Sequence, residues 1–198
     1  DHGDLRIIGN QSPRYRYGVN LSARWNGIGL SVFLQGVGAR DWYPGSDAGM
    51  FWGKYGRPFF ALVPSIHNYT DDMYSAERNN WDTAYWPRMT TYQSNGTKNW
   101  TRLLEIPNTR YIQSAAYLRV KNIQLDYSFP KHICSAIRLQ GLKIYVNAEN
   151  LFTFTPLYKY APNFDPEGLS YDSDFATAAD GYTYPILKSV TVGVNITF

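Results

Sequence analysis

Apolar and polar residues alternate with a period of two along five stretches of this chain, and the last stretch is the most regular. In Ser189–Phe198, Val190, Val192, Val194, Ile196 and Phe198 fall on one face, and Ser189, Thr191, Gly193, Asn195 and Thr197 on the other. Unbroken alternation marks a β-strand with one apolar and one polar side. Residues 15–25 repeat the pattern: Tyr15, Tyr17, Val19, Leu21, Ala23 and Trp25 oppose Arg16, Gly18, Asn20, Ser22 and Arg24. Asn26-Gly27 follows, the strongest short hairpin signal. It predicts a second strand over 28–37, whose polar face is interrupted by Phe33 and Val37. A third strand is expected over 117–129. Its apolar phase changes between Val120 and Ile123, which predicts a β-bulge near Lys121-Asn122. Residues 130–141 form a connector with a helical turn expected over 133–139, stopped at Gly141. The fourth strand is predicted over 142–151, with an extension possible through Thr155.

These strands fit two architectures. The last ten residues, at about 3.3 Å each and tilted by about 45°, rise about 23 Å, close to the apolar band of an outer-membrane barrel at about 25 Å. The core face of a soluble β-sandwich alternates in the same way. The connections discriminate. Stretches 38–114 and 156–188 are long and lack sustained periodicity, whereas residues 26–27 and 130–141 are short. Placing Phe198 on the periplasmic side puts both long connections outside the cell and both short ones inside, the asymmetry typical of membrane barrels. A sandwich has no reason to sort its connections by parity, and a loop as long as 38–114 is unusual in a compact soluble domain. A chain-terminal aromatic such as Phe198, closing an alternating strand, also resembles the recognition signal of bacterial outer-membrane barrels. The expected fold is therefore all-β: strands of a transmembrane antiparallel β-barrel with long extracellular loops and short periplasmic turns. Five strands cannot close such a barrel, and open edges in lipid leave polar groups unpaired. The chain is expected to pair with further strands of a larger barrel.

Composition agrees with this picture. With 17 Tyr, 10 Phe, 6 Trp, 16 Gly and 11 Pro, the chain is rich in strand, interface and turn residues. Its apolar runs are far too short for a transmembrane helix, the longest being Phe59-Phe-Ala-Leu-Val63. A net charge of +3, without a basic run, gives no case for nucleic acid as a partner. Cys134 is the only cysteine, so no disulfide framework or Cys-based zinc site exists in this sequence. It reads as a packed small residue. Beginning at Asp1 without Met or a signal peptide, the sequence looks like part of something longer.

Catalytic chemistry is not legible. His2, His67 and His132 are far apart, and no nucleophile–base pair presents itself, so an outer-membrane enzyme on a small barrel is disfavoured. Gly36-Val-Gly38 lacks the third glycine of a dinucleotide fingerprint, since Asp41 stands there. No catalytic residue, metal site or cofactor is assigned. The one metal option is a loop Ca²⁺ at Asp165-Pro-Glu167 or at Asp172 and Asp174, where turn geometry and solvated acids are the simpler account. The aromatics of the connections are the candidate ligand or lid contacts: Trp42, Tyr43, Trp52, Trp81, Tyr85, Trp86 and Trp100. Their faces offer large contact area at low entropic cost. The plainer role for each is packing of the connection on itself or on the barrel rim. Arg16, Arg24, Lys143 and Glu149 are expected to line the barrel interior or to meet a plug.

Several segments in this order resemble the C-terminal end of the SusC/RagA family of TonB-dependent transporters from Bacteroidetes. They are Arg6-Ile-Ile-Gly-Asn10 with Pro13-Arg-Tyr15 and Gly18; Leu30 to Gly38 with Arg40-Asp-Trp42; Tyr117 to Pro130; Ile144 to Thr153; Asp165-Pro-Glu167; and Tyr184-Pro185 before the last strand. The resemblance implies a 22-stranded barrel plugged by an N-terminal domain, with the plug lying outside these residues. It implies energy from TonB through the plug, a SusD-like surface lipoprotein as lid, a bacterial outer membrane as location, and oligosaccharide or peptide as cargo. The alternative is a secreted β-sandwich module that binds carbohydrate through its aromatics.

Overall fold

The computed structural model describes residues 6–43, 76–85, 107–162, 164–169 and 186–198. The chain divides into two compact units. One, the sheet unit, comprises residues 15–38, 117–154 and 186–198; the other, the connection unit, holds the described residues of 6–14, 39–116 and 155–185.

The sheet unit is a single antiparallel sheet. Its strands are β1 (Arg16–Trp25), β2 (Ile28–Val37), β5 (Tyr117–Ser128), β6 (Gly141–Phe154) and β7 (Ser189–Thr197), in the order β1-β2-β5-β6-β7. Two short strands in the connection unit, β3 (Asp41–Trp42) and β4 (Gln113–Ser114), form a separate ribbon. All five alternating stretches are thus strands, with ends within a few residues of those expected. The extension of β6 through Phe154 is real. Asn26 and Gly27 both take positive φ, 47° and 85°, the geometry that a two-residue hairpin of the primed type requires. A Cβ on Gly27 would also lie 2.7 Å from the Ser128 carbonyl. The expected bulge is present: Phe33 pairs with Asn122 but Leu34 with Val120, leaving Lys121 as the extra residue of β5. On its other side β5 meets a compensating insertion in β6, where Asn150 adopts φ 53°.

The connector between β5 and β6 corrects the sequence reading. Its helix, α1, spans Lys131–Ala136 and begins two residues earlier than expected. Gly141 does not stop it, because Gly141 is already the first residue of β6. Arg138 supplies the left-handed turn instead, at φ 61°, and the Leu139 N–H returns to the Cys134 carbonyl at 2.9 Å. Cys134 is buried, with Sγ 3.7 Å from the Phe129 carbonyl, in keeping with a packing role.

Register aligns the alternation of the five strands into continuous rows. Leu21, Val32, Ile123, Ala148 and Val190 form one row; Ala23, Leu30, Leu125, Val146 and Val192 form the next. Aromatics close this apolar face at both ends, with Tyr17, Phe152 and Phe154 at one and Trp25 and Tyr127 at the other. The face is open to its surroundings: Val192 is 72% exposed, and Leu21, Leu125 and Phe152 are all more than half exposed. A sandwich would cover such a face with a second sheet. A lipid-facing wall leaves it bare between two aromatic girdles.

The opposite face is mostly polar, with Phe33, Val37, Tyr117 and Tyr145 among its residues, and it carries an ion-paired cluster. Arg24, Gly29 and Asp126 share a row across β1, β2 and β5. Because Gly29 has no side chain, Arg24 reaches over β2 and donates from Nη2 to both oxygens of Asp126, at 3.0 and 3.3 Å. A Cβ at Gly29 would collide with the Asp126 carboxylate. Lys143 Nζ reaches the same carboxylate at 3.0 Å. Asp126 is only 5% exposed, and the two cations satisfy its charge. Both edges of the sheet, β1 and β7, have one described neighbour each. The strand ends that lead into the long connections all lie at the Tyr17–Phe154 end of the sheet, and the short turns lie at the other.

Candidate functional site

The connection unit is built around aromatic side chains. Trp42 on β3 and Tyr43 after it pack with Tyr111, Ala115, Leu157, Ala161, Phe164 and Leu169, and Tyr85, Ile112 and Tyr160 lean against this core. Trp42 and Phe164 have ring centroids 4.9 Å apart. Tyr85 stacks on Tyr160 at 3.6 Å with 7° between ring planes, and meets Tyr111 edge-on at 5.7 Å. Lys159 places its ammonium 4.7 Å over the Tyr160 ring.

Polar groups hold this irregular backbone in place. Asn108 accepts from the N–H groups of Arg110 and Tyr111 at 3.1 and 3.3 Å, and its amide donates to the Tyr43 hydroxyl at 3.0 Å. It closes an Asx turn that delivers Tyr111 to the core. Thr155 caps the 3₁₀ turn Pro156–Lys159 by accepting from Leu157 N–H at 3.2 Å, and donates to the Ala116 carbonyl at 2.8 Å. Arg40 is the main tie. It is 4% exposed, and donates to the carbonyls of Gln11 (3.1 Å), Pro166 (3.0 Å) and Leu169 (2.7 Å). One guanidinium thereby links three stretches that are far apart in sequence. A planar fork of donors is suited to this and an ammonium is not.

The sequence-predicted contact residues occupy three kinds of position. Trp42 and Tyr43 are in the core of the unit, 3% and 6% exposed. Tyr85 is half-buried at its edge, and Trp81 is 71% exposed on the turn that precedes it. Trp52, Trp86 and Trp100 lie outside the described residues, as do Asp172 and Asp174. In the sheet unit, Phe198 follows β7 in its apolar phase and is exposed. Asp165 accepts from the Glu167 N–H at 2.9 Å, so its carboxylate takes part in the turn around buried Pro166. Among the described residues, no group of three or more His, Cys, Asp or Glu could hold a metal ion. Sequence reasoning missed Arg40, Tyr111, Gln113 and Tyr160. The signals for Arg40 were its place in the Arg40-Asp-Trp42 segment and its position just after a strand, neither of which points to a role.

Phenol ionisation is suppressed in this cluster. Burial, and then the neighbouring phenols Tyr160 and Tyr111, push Tyr85 up to about 12, against smaller opposing effects of Arg110 and Gln113. Tyr43 is held well above the usual phenol range, first by burial and then by Tyr111 and Tyr85. Both folded-state values lie above the unfolded value near 10, so the folded unit binds protons more tightly than the unfolded chain. Its stability is therefore fully present below about pH 10 and is lost as pH rises towards 12. Thermal unfolding followed from pH 8 to pH 12 should show this alkaline decline, and Tyr85→Phe should flatten it. An unchanged slope in that variant would assign the decline to other groups.

Taken by itself, the described sheet is an open antiparallel sheet with the two-faced pattern of a membrane-barrel wall. No family model matches the chain. It is 25% identical over 201 residues to TonB-dependent receptor P3 of Formosa agariphila, and 22% identical over 199 residues to TonB-dependent receptor P26 of the same organism. Both alignments cover 98% of the chain, which spans 17% and 18% of those relatives' lengths. Among solved structures, the RagAB peptide importer in its open-open state matches with a TM-score of 0.59 at 18% identity, over 98% of this chain and 18% of that one. The closed-closed state of RagAB matches equally well. The resemblance to TonB-dependent transporters drawn from the sequence is thus borne out, and so is the all-β barrel fold class. Both relatives are named as receptors.

Proposed function

We propose that this chain forms part of the barrel wall and two outer loops of a TonB-dependent importer in the outer membrane of a Gram-negative bacterium. The observation that carries this reading is the division of one sheet into two faces. An exposed apolar face runs across five strands between aromatic girdles, and the reverse face is mostly polar and holds the Arg24–Asp126–Lys143 cluster. Lipid suits the first face and a hydrated interior the second. The strand ends lead into both long connections at one end of the sheet, which supports placing those connections outside the cell and the Asn26-Gly27 turn and α1 in the periplasm. The remaining barrel strands and a plug would pair with edges β1 and β7, TonB would act through the plug, and a SusD-like lipoprotein would cover the loops.

The cargo we favour is peptide, on the likeness in fold to a peptide importer. A second reading, oligosaccharide, draws on the exposed indole of Trp81, a ready platform for a sugar ring. The test is fractionation and affinity purification of the complete transporter, followed by growth of its host on peptides or on oligosaccharides as the limiting nutrient. Recovery from the outer membrane with a lipoprotein, and growth on peptide that is lost on deletion of the transporter, is the expected result. Recovery as a soluble protein would overturn the importer. Deletion that abolishes growth on oligosaccharide alone would reassign the cargo.

A further inference from the structure

The connector between β5 and β6 is basic and its cations are unused. Residues 129–141 hold Lys131, His132 and Arg138 and no acidic residue. All three are exposed, and among the described residues their side chains form no hydrogen bond or ion pair. Arg24 and Lys143, on the polar face of the same sheet, are instead both held by Asp126. The connector also exposes apolar surface, with Ile133 at 39% and Ile137 at 54%.

Beside the connector the apolar face is indented. A groove of about 340 Å³ is lined chiefly by Ile28, Leu125, Tyr127, Ile144, Val146 and Val192. It spans the rows Ile28–Tyr127–Ile144–Val194 and Leu30–Leu125–Val146–Val192. β5 ends at Ser128 and β6 begins at Gly141, so the groove lies at the strand ends that the connector joins. Tyr127 and Phe129 meet edge-on at 5.0 Å at this level, and the exposed Trp25 marks the same end of the sheet. Such aromatics sit at the height of lipid headgroups. Free cations are thus joined to an apolar groove through an interfacial girdle.

Resting on the barrel-wall reading above, we propose that the β5–β6 connector and this groove bind one anionic phospholipid of the periplasmic leaflet. Lys131 and Arg138 take the phosphate, and a stretch of acyl chain lies along Tyr127, Ile144, Val146 and Val192. Charge complementarity selects this occupant. Each Lys or Arg near an anionic lipid surface strengthens its attraction. A zwitterionic lipid offsets that attraction with its own ammonium. A second copy of the chain related by a two-fold axis would bring two basic connectors together.

The test uses the complete transporter purified in mild detergent, with bound lipid counted by native mass spectrometry. The probes are long-chain phosphatidylglycerol, the same headgroup on two short chains, long-chain phosphatidylethanolamine, and inorganic phosphate. Wild type should retain long-chain phosphatidylglycerol in preference to the other three. Lys131→Gln with Arg138→Gln should weaken that retention about tenfold or more, and Lys131→Arg with Arg138→Lys should restore it. Val146→Trp, which fills the groove with a lipid-compatible side chain, should reduce retention of the long-chain lipid towards that of the short-chain one. Melting temperatures of the variants identify any that fail to fold. Equal retention by wild type and the double glutamine variant would overturn the inference and leave the importer reading intact. Equal binding of inorganic phosphate or short-chain lipid would overturn the groove's part in it. A second transporter copy held on this face, and lost in Val146→Trp, would overturn the lipid occupant. A complete transporter that is soluble without detergent and retains no lipid would overturn both this inference and the barrel wall on which it rests.

Discussion

Val32→Arg should block stable insertion of the protein, whereas Ser31→Arg, one residue away on the same strand, should be tolerated. Val32 lies in the middle row of the apolar face, between Leu21 on β1 and Ile123 on β5. Ser31 lies on the polar face, between Ser22 and Gln124. An arginine at the midplane of the lipid face of a barrel costs about 2–4 kcal/mol. One or two kcal/mol is already a large part of a typical folding free energy. On the polar face the guanidinium stays hydrated among hydroxyl and carboxamide groups. Urea unfolding in lipid vesicles and the amount of transporter in the outer membrane both report the difference. Equal effects of the two substitutions would mean that the faces have been assigned to the wrong environments.

Arg40→Ala should loosen the connection unit while leaving the sheet formed. The substitution removes the guanidinium bonds to Gln11, Pro166 and Leu169 and leaves the carbonyls of Pro166 and Leu169, whose bonds to it are buried, without these donors. Hydrogen bonds to charged groups contribute about 1.5–3 kcal/mol each, so the loss should reach about 3 kcal/mol or more. Arg40→Lys should recover only part of it, since an ammonium cannot span three carbonyls in the plane of a guanidinium. The measurement is hydrogen exchange of the complete transporter. Amides of residues 164–169 should lose protection while those of β5 and β6 keep theirs. Unchanged protection at 164–169 would show that Arg40 is not the tie described.

The sheet was legible in the sequence and the connection unit was not, for physical reasons that particular residues carry. A strand with lipid on one side and water on the other must alternate at every position, so five strands, the Asn26-Gly27 turn and the Lys121 bulge are each written locally. Even the Gly at 29 falls into place once register sets it between Arg24 and Asp126. Register itself is non-local, and the Arg24–Asp126–Lys143 cluster could not be read without it. The connection unit has no period. Arg40 binds carbonyls, which every residue carries, so no partner is visible in the sequence. Trp42, Tyr43 and Tyr85 were singled out as aromatics in irregular segments, which says nothing of whether a ring is core or surface. Packing places the first two inside and Tyr85 at the edge. Arg138 ended α1 in place of Gly141 because a lone residue can adopt the left-handed turn at modest cost. That choice left Gly141 free to begin β6.

The central claim is that the two faces of one sheet meet lipid and water, and β7 tests it most directly. Single cysteines at each position from Val190 to Asn195, in a Cys134→Ser background of the complete transporter, are exposed in intact outer membranes to a membrane-impermeant thiol reagent and to a lipid-soluble one. Val190, Val192 and Val194 should react only with the lipid-soluble reagent, and Thr191, Gly193 and Asn195 should be shielded from lipid. Reaction that does not alternate, or free labelling of the valine positions from water, would contradict the barrel wall and everything built on it.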